Sequence, residues 1–372
     1  MCGIVGVASK IPTDSKSWLK KSCDAITHRG PDNEGQWWSS QNNVGLGHRR
    51  LSIFDLSDSG NQPMHDFGKK LSVVFNGEIY NFLDLKKKLE QSGYQFNSNS
   101  DTEVLLASYD FWGTECVKYF KGMFAFALYD GKKNIMFLAR DRAGEKPLFY
   151  TNFNNSLFFT SELKALLVNS NMPRKIDEDA LDCYLSFGYV PGDMCILKGY
   201  NKLPAGNIAV YDISSNSLKI SKYWTLPDSK DKIDILNDDE YVDKLDYLLD
   251  DSIRMQMEAD VPVGVLLSGG VDSSLITAIA SRHATKVKTF TISFPGYDSY
   301  DESDHARLIA KSFKTEHIEL QAKDSSADFL HKLASQVDEP MADSSIIPTY
   351  IVSKLVREHC TVALGGDGGD EL

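Results

Sequence analysis

The stretch DVPVGVLLSGGVDSS, residues 260–274, decides how the second half of the chain is built. Its apolar run from Val261 to Leu267 does not alternate with polar residues, which suits a strand buried on both faces. The run ends in Ser268-Gly269-Gly270, and Asp272, Ser273 and Ser274 then open a helix expected from about Asp272 to His283. Glycine lets backbone N–H groups approach a phosphate closely, and a helix N-terminus favours negative charge. No Lys follows the glycines, so this is not a GxxxxGK[ST] loop. Taken alone, an SGG turn between a strand and a helix is ordinary.

Downstream the same alternation continues. KTFTISF (288–294) reads as a strand, SDHARLIAKSF (303–313) as a helix and HIEL (317–320) as a strand. Ile346 to His359 reads as a helix and TVALGG (361–366) as a strand. Upstream, Tyr241 to Met257 reads as a helix. Continuous apolar strands alternating with helices imply an α/β doubly wound parallel sheet. The polar, acidic stretch 223–240 (YWTLPDSKDKIDILNDDE) reads as a linker. The domains expected are 1–225 and 235–372.

The first half has another character. Short β-type runs, CGIVGVA (2–8), NVGLGHRRLSIF (43–54), LSVVFNG (71–77), GMFAFALYD (122–130), NIMFLARD (134–141) and PLFYTNF (147–153), are bounded by Gly, Asn and Asp. They imply antiparallel strands. Helices are expected over Phe82–Ser92 and Asp101–Trp112, the second with Asp101 as its N-cap. The sum is α+β, with sheets packed together and helices outside.

Composition bounds the function. The chain has 372 residues, 42% hydrophobic and 25% charged, which suits a globular protein of two domains. A net charge of −12 argues against a general grip on nucleic acid. The six Cys, at 2, 23, 116, 183, 195 and 360, form no CxxC pair, which argues against zinc and suggests a reducing, cytoplasmic compartment. No signal peptide and no membrane-spanning apolar run is read.

Cys2 directly follows Met1, and a residue this small permits removal of the Met. The product carries a thiol and a free α-amine on one residue. An amine of pKa about 7.7–8.0 can accept the thiol proton, so the pair makes a compact nucleophile and base. On its own, a second-position Cys is weak evidence, and a small buried apolar residue in a strand is the more ordinary reading.

It is accompanied by HRGPDNEG (28–35), GHRRLSIFD (47–55), FNGEIYNF (75–82), SDTEV (100–104), GMFAFALYD (122–130) and ARDRAGEKPLFY (139–150). Together these resemble the class II glutamine amidotransferase domain, whose N-terminal-nucleophile fold is a four-layer αββα sandwich. The resemblance implies that Cys2 attacks the glutamine amide to form a thioester. It implies an oxyanion hole from the Asn76 amide and the Gly77 N–H, the donors needed where charge develops. Arg50, with Leu51, Ser52 and Ile53, would hold the α-carboxylate, a planar partner for a guanidinium fork. Asp101, with Glu78, would take the α-ammonium.

SGGVDSS (268–274) is similar to the pyrophosphate-binding loop of ATP pyrophosphatases. Joined to a glutaminase domain, and with YVPGDMCILKGYNKLPAGN (189–207), DEPMADSSIIPTYIVSK (338–354) and the terminal GDGGDEL, it resembles glutamine-hydrolysing asparagine synthetases. That resemblance implies ATP and Mg²⁺. Leu267, Ser268, Gly269, Gly270, Asp272, Ser273, Ile292, Gly365 and Gly366 would contact the nucleotide. Asp272 and Asp370 would hold the metal, as hard oxygen ligands, and Asp367 would lie near the acyl-adenylate. The substrates implied are glutamine, aspartate and ATP. Two departures stand out. Gly365-Gly366 replaces the usual Ser-Gly, and the family continues well beyond residue 372. Amidation of a sugar or peptide carboxylate, and a stub with glutaminase activity alone, are the other readings. A homodimer, or a second chain supplying the C-terminal segment, is the assembly expected.

Overall fold

The computed structural model describes residues 1–68, 70–228, 237–293, 301–322 and 327–369. The chain divides into two compact units, Met1–Pro227 with Val337–Ala342, and Asp228–Gln336 with Asp343–Leu372. Among the described residues no helix is long and apolar enough to cross a membrane.

The strands of the first unit are β1 (Gly3–Ser9), β2 (Asn33–Trp38), β3 (Val44–Arg50), β4 (Met64–His65), β5 (Leu71–Ile79) and β6 (Gly122–Asp130). They continue as β7 (Ile135–Arg140), β8 (Phe149–Phe153), β9 (Ser156–Thr160), β10 (Asn201–Lys202), β11 (Asn207–Asp212) and β12 (Ser217–Lys222). They form two six-stranded sheets, in the orders β10-β8-β9-β1-β3-β2 and β12-β11-β7-β6-β5-β4. Neighbours pair antiparallel. The helices are α1 (Lys16–Ala25), α2 (Phe82–Gln91), α3 (Asp101–Trp112), α4 (Leu163–Leu167) and α5 (Glu178–Phe187).

The period of two along each strand sorts side chains into layers. In β1, Ile4 and Ala8 pack between the sheets with Val44, Leu46, Val74, Ala125 and Ala127. Val5 and Val7 face the other way, onto Trp18, Leu19 and Cys23 of α1 and Leu166 of α4. On the far side of the second sheet, Val73 and Phe75 pack against Leu85 of α2 and Leu105 of α3. The layers therefore run α, β, β, α, which is the N-terminal-nucleophile sandwich.

The second unit holds β13 (Val263–Leu266), β14 (Lys288–Ser293), β15 (Glu316–Gln321) and β16 (Val362–Leu364). All pair parallel, in the order β15-β14-β13-β16. Its helices are α6 (Asp238–Met257), α7 (Val271–His283), α8 (Ser303–Phe313), α9 (Ala327–Gln336) and α10 (Ile346–Arg357). Val265 packs on Ile253 of α6 and Ile279 of α7, while Phe290 packs on Val356 of α10. Both faces of the sheet are covered, as parallel sheets require.

Several expectations shift. The strand expected over 43–54 ends at Arg50. The one expected over 261–267 is only Val263–Leu266, and that over 361–366 only Val362–Leu364. Each is cut where the chain turns into a loop. The cap of α3 is not Asp101 but Ser100, whose side chain accepts from the Thr102 N–H. The last linker residues belong to α6, which Asn237 and Glu240 close with a reciprocal capping box. Linker residues 229–236 lie outside the described residues, as does Phe294.

Candidate active site

Period two also assembles the first site. Cys2 continues the inter-sheet face of Ile4, Arg50 and His48 continue that of Leu46, and Asn76 and Glu78 continue that of Val74. At this end of the sandwich lies an open pocket. Cys2, Arg50, Leu51, Ile53, Gln62, Gly77, Glu78 and Asp101 are among its lining residues.

The Cys2 thiol lies between the two backbone groups of Leu51. The Leu51 N–H is 3.4 Å from Sγ, and Sγ is 3.6 Å from the Leu51 carbonyl oxygen. Burial pushes this thiol up to about 11, against the Leu51 N–H, which lowers it. Cys2 is therefore held as a thiol that needs a base. Burial pulls the neighbouring Met1 α-amine down to about 6. The Cys2 carbonyl is held by Arg29, whose Nε donates to it at 2.9 Å.

The strand β5 presents an open edge here. β4 pairs with it only at Val73 and Ser72. Beyond that point side chains replace the missing strand. The Phe75 N–H donates to Gln62 Oε1 at 2.6 Å and the Ile79 N–H to Asp101 Oδ2 at 3.0 Å. Gly77 stands between them. Its cross-strand partner Phe124 spends its own N–H and carbonyl on Asp141, at 3.1 and 2.8 Å. The Gly77 N–H therefore faces the open edge and the pocket. Only glycine fits there. Its φ is +156°, and a Cβ would fall 2.1 Å from the Met123 carbonyl oxygen. Asn76, next to it, is fully buried, and among the described residues neither its amide nitrogen nor its oxygen has a partner. Leaving such a group unsatisfied costs about 1–3 kcal/mol, which a ligand could recover.

Two carboxylates share the pocket. Burial pushes Asp101 up to about 6, against the N–H groups of Ile79 and Thr102. Burial, and then the Asp101 charge, pushes Glu78 well above the ordinary carboxylate range. A cation entering the pocket would relieve both. The Ser52 side chain does not line the wall, and its N–H donates to Asp32 at 2.8 Å. Arg50 departs from the fork expected of it. Its Nη1 donates to Ser57 O at 2.9 Å and Asn61 Oδ1 at 2.8 Å, and its Nη2 to Phe54 O at 3.1 Å and to Asp55 O. Its charge and its Nε–H are what it still offers a ligand.

Arg29, Glu162, Lys146 and Gln62 carry no role in the sequence reading. Arg29 Nη1 donates to Glu162 Oε1 at 2.8 Å, and Lys146 Nζ lies 3.0 Å from Met1 Sδ. Arg29 and Lys146 fall inside the motifs HRGPDNEG and GEKPLFY, and that position was the available signal.

In the second unit, loops 267–270 and 365–369 leave the C-terminal ends of adjacent strands β13 and β16. In chain order the sheet runs 3-2-1-4, so these strands flank its switch point, where doubly wound sheets bind ligands. Gly269 takes φ +89° against α8, where a Cβ would fall 2.6 Å from His305 Cβ. Gly270 is the N-cap of α7, with no side chain on the helix N–H groups. Ser268 Oγ lies 3.0 Å from Ser273 Oγ. Leu267 is buried, its N–H donating to Phe290 O at 2.8 Å and its carbonyl accepting from Thr291 Oγ1. Ile292 lies in β14 and packs with Phe290. The terminal loop lies against Asp272. A Cβ on Gly366 would fall 3.1 Å from Asp272 Cβ, and one on Gly369 2.7 Å from its Cγ. Asp367 is exposed beside Gly365, and Asp370 lies outside the described residues. Among the described residues no cluster of three or more His, Cys, Asp or Glu could hold a metal.

A glutamine amidotransferase domain followed by a synthetase domain is the class of protein that the two halves of the chain match. Residues 1–224 match the glutamine amidotransferase domain family, and residues 244–372 the asparagine synthase family. The chain is 38% identical to the "Putative asparagine synthetase (glutamine-hydrolysing) 2" of Methanocaldococcus jannaschii, over all of this chain and 75% of that protein. It is 36% identical to asparagine synthetase (glutamine-hydrolysing) 1 of Bacillus subtilis and 35% identical to a protein of Mycobacterium bovis named as a putative enzyme of the same kind. Those matches cover all of this chain and 58% and 60% of those proteins. The chain belongs to the glutamine-hydrolysing asparagine synthetase family.

Proposed function

We propose that this chain makes asparagine from aspartate, glutamine and ATP, with a glutaminase domain over 1–225 and a synthetase domain over 235–372. The observation that carries the glutaminase half is the buried, unpaired Asn76 amide beside the Gly77 N–H on the open edge of β5. Removal of Met1 places the α-amine on Cys2. That amine takes the thiol proton while Sγ attacks the amide carbon of glutamine. The developing oxyanion meets the Asn76 amide and the Gly77 N–H, a donor pair whose members are each worth roughly 10²–10³ in rate. The proton passes to the departing ammonia, and water then hydrolyses the thioester to glutamate. Asp101 and Glu78 hold the α-ammonium. The Arg50 charge, with the 51–53 backbone, faces the α-carboxylate.

In the synthetase half, a carboxylate oxygen of aspartate attacks the α-phosphorus of ATP and pyrophosphate leaves. Ammonia then displaces AMP from the acyl-adenylate. The N–H groups at the start of α7, with Ser268 and Ser273, receive the phosphates. Leu267, Ile292, Gly365 and Gly366 flank the adenosine, and Asp367 lies beside the acyl group. Asp272 and Asp370 would hold Mg²⁺, which supplies charge neutralisation at the phosphates. Buried free thiols at Cys23, Cys116, Cys195 and Cys360 support a cytoplasmic setting. Assembly as a homodimer belongs to the same reading and is checked by light scattering.

The test uses the whole chain with Mg·ATP, glutamine and aspartate, following glutamate, AMP and asparagine together. Equal AMP and asparagine support the proposal. AMP only with another carboxylate acceptor moves the substrate assignment. Glutamate alone refutes the synthetase half.

A further inference from the structure

Phe75 is gripped at both backbone groups by side chains from elsewhere. Its N–H donates to Gln62 Oε1 at 2.6 Å, and its carbonyl accepts from His48 Nε2 at 3.1 Å. Burial lowers His48 to about 3, so the ring is neutral, and the Phe75 carbonyl fixes its one N–H on Nε2. Gln62 is equally constrained. Only its oxygen can accept from Phe75, so its Nε2 must point away, and it donates to Thr102 Oγ1 at 3.2 Å. Its backbone is pinned too, since a Cβ on Gly35 would fall 1.9 Å from the Gln62 carbonyl oxygen. Gln62 and Thr102 are 6% and 2% exposed, so the link is largely shielded from bulk water.

Gln62 thus bridges two elements that meet opposite ends of one substrate. Phe75 precedes Asn76 and Gly77, which face the reacting amide. Thr102 follows Asp101, which faces the α-ammonium. We propose that Gln62 is a positioning residue for glutamine hydrolysis, fixing the spacing between the oxyanion-binding edge of β5 and the ammonium-binding start of α3. This rests on the glutaminase reading of the same pocket. An isolated shift of β5 by a fraction of an ångström would leave Cys2 nucleophilic but misplace the donors for the oxyanion.

The test compares two reactions of Cys2 in the whole chain. Glutamine hydrolysis needs the oxyanion hole, whereas alkylation by iodoacetamide is a displacement that forms no oxyanion. Gln62→Met keeps the length of the side chain and removes both hydrogen bonds. It is expected to lower kcat for hydrolysis by about 10- to 100-fold, less than deletion of a whole donor. KM should stay within about threefold and the alkylation rate within about twofold. Thr102→Val cuts the same link from the other end, and is expected to lower kcat by a smaller factor. It carries the test if Gln62→Met does not fold. The double variant should be no slower than Gln62→Met, because both changes break one chain of contacts. Unchanged kcat, or hydrolysis and alkylation falling in parallel, would overturn the positioning role. Hydrolysis that survives Cys2→Ala would instead overturn the glutaminase reading beneath it.

Discussion

Glu162 shows how much a single carboxylate can organise behind the nucleophile. It accepts from Arg29 and approaches His28 and Lys164 at 3.0 Å, and Arg29 in turn holds the Cys2 carbonyl. Burial alone would raise Glu162, but the His28 and Arg29 hydrogen bonds, with the Arg29 charge, hold it down at about 2. A carboxylate depressed on folding adds stability above its ordinary value of 4.5, and that stability is lost as pH falls through its folded value. Glu162→Gln is therefore expected to destabilise the protein by roughly 1–2 kcal/mol at pH 7, since its partners His28 and Lys164 are partly exposed. Urea unfolding should show the gap to wild type narrowing between pH 4.5 and pH 3. A constant gap would mean that the charge contributes nothing. At this scale the sequence shows Cys2, Asn76, Gly77 and Asp101 well, because each sits in a short contiguous motif. Arg29 and Glu162 lie 133 positions apart in sequence, and Gln62 and Thr102 40 apart, so no local pattern carries them. Arg50 shows the converse. Its residue type suggested a fork for a carboxylate, whereas the loop at 54–61 occupies four of its N–H groups.

At the scale of elements, the site depends on a strand with one edge left unpaired. β4 stops after two residues, and Gln62 and Asp101 satisfy the N–H groups on either side of Gly77. Gly77→Ala is expected to displace this edge, since its Cβ would lie 2.1 Å from one backbone atom and 2.6 Å from another. Glutamine hydrolysis should fall by at least about 100-fold, with the far-ultraviolet circular dichroism retained. Near-normal turnover would remove Gly77 from the oxyanion hole. Gly269→Ala makes the matching prediction in the second unit, with ATP-dependent pyrophosphate release lost and glutaminase activity kept. The β5, β6 and α3 segments are legible because their apolar positions are dense and their ends are marked by Gly, Asp or Ser. β12 (SLKISK) is mostly exposed and, among the described residues, pairs only with β11, so hydrophobic pattern does not reveal it.

Over the whole molecule, the alternation of strands and helices gave the class of the second unit but not its strand order. The 3-2-1-4 order, which puts loops 267–270 and 365–369 side by side, depends on pairing between β13 and β16, nearly a hundred residues apart. Nor does the sequence show that Val337–Ala342 packs with the first unit. There Glu339 accepts from Lys202 and from the Ile196 N–H, both at 2.9 Å, and the Ala342 N–H donates to Gly188 at 2.8 Å. Glu339→Ala removes the one carboxylate from the Lys202 ammonium, which keeps only the Val190 carbonyl at 2.8 Å among the described residues, and is expected to destabilise the protein by roughly 1–3 kcal/mol in urea unfolding. Whether two separate chemistries share this chain is tested most directly by a crossed pair of variants. Glutamate and AMP are measured for Cys2→Ala and Asp272→Asn with Mg·ATP, aspartate, and either glutamine or ammonium as nitrogen source. Cys2→Ala should lose glutamate formation and keep ammonia-dependent AMP, while Asp272→Asn should lose AMP and keep glutamate. Loss of both products in Cys2→Ala, or unchanged AMP in Asp272→Asn, would contradict the two-site assignment.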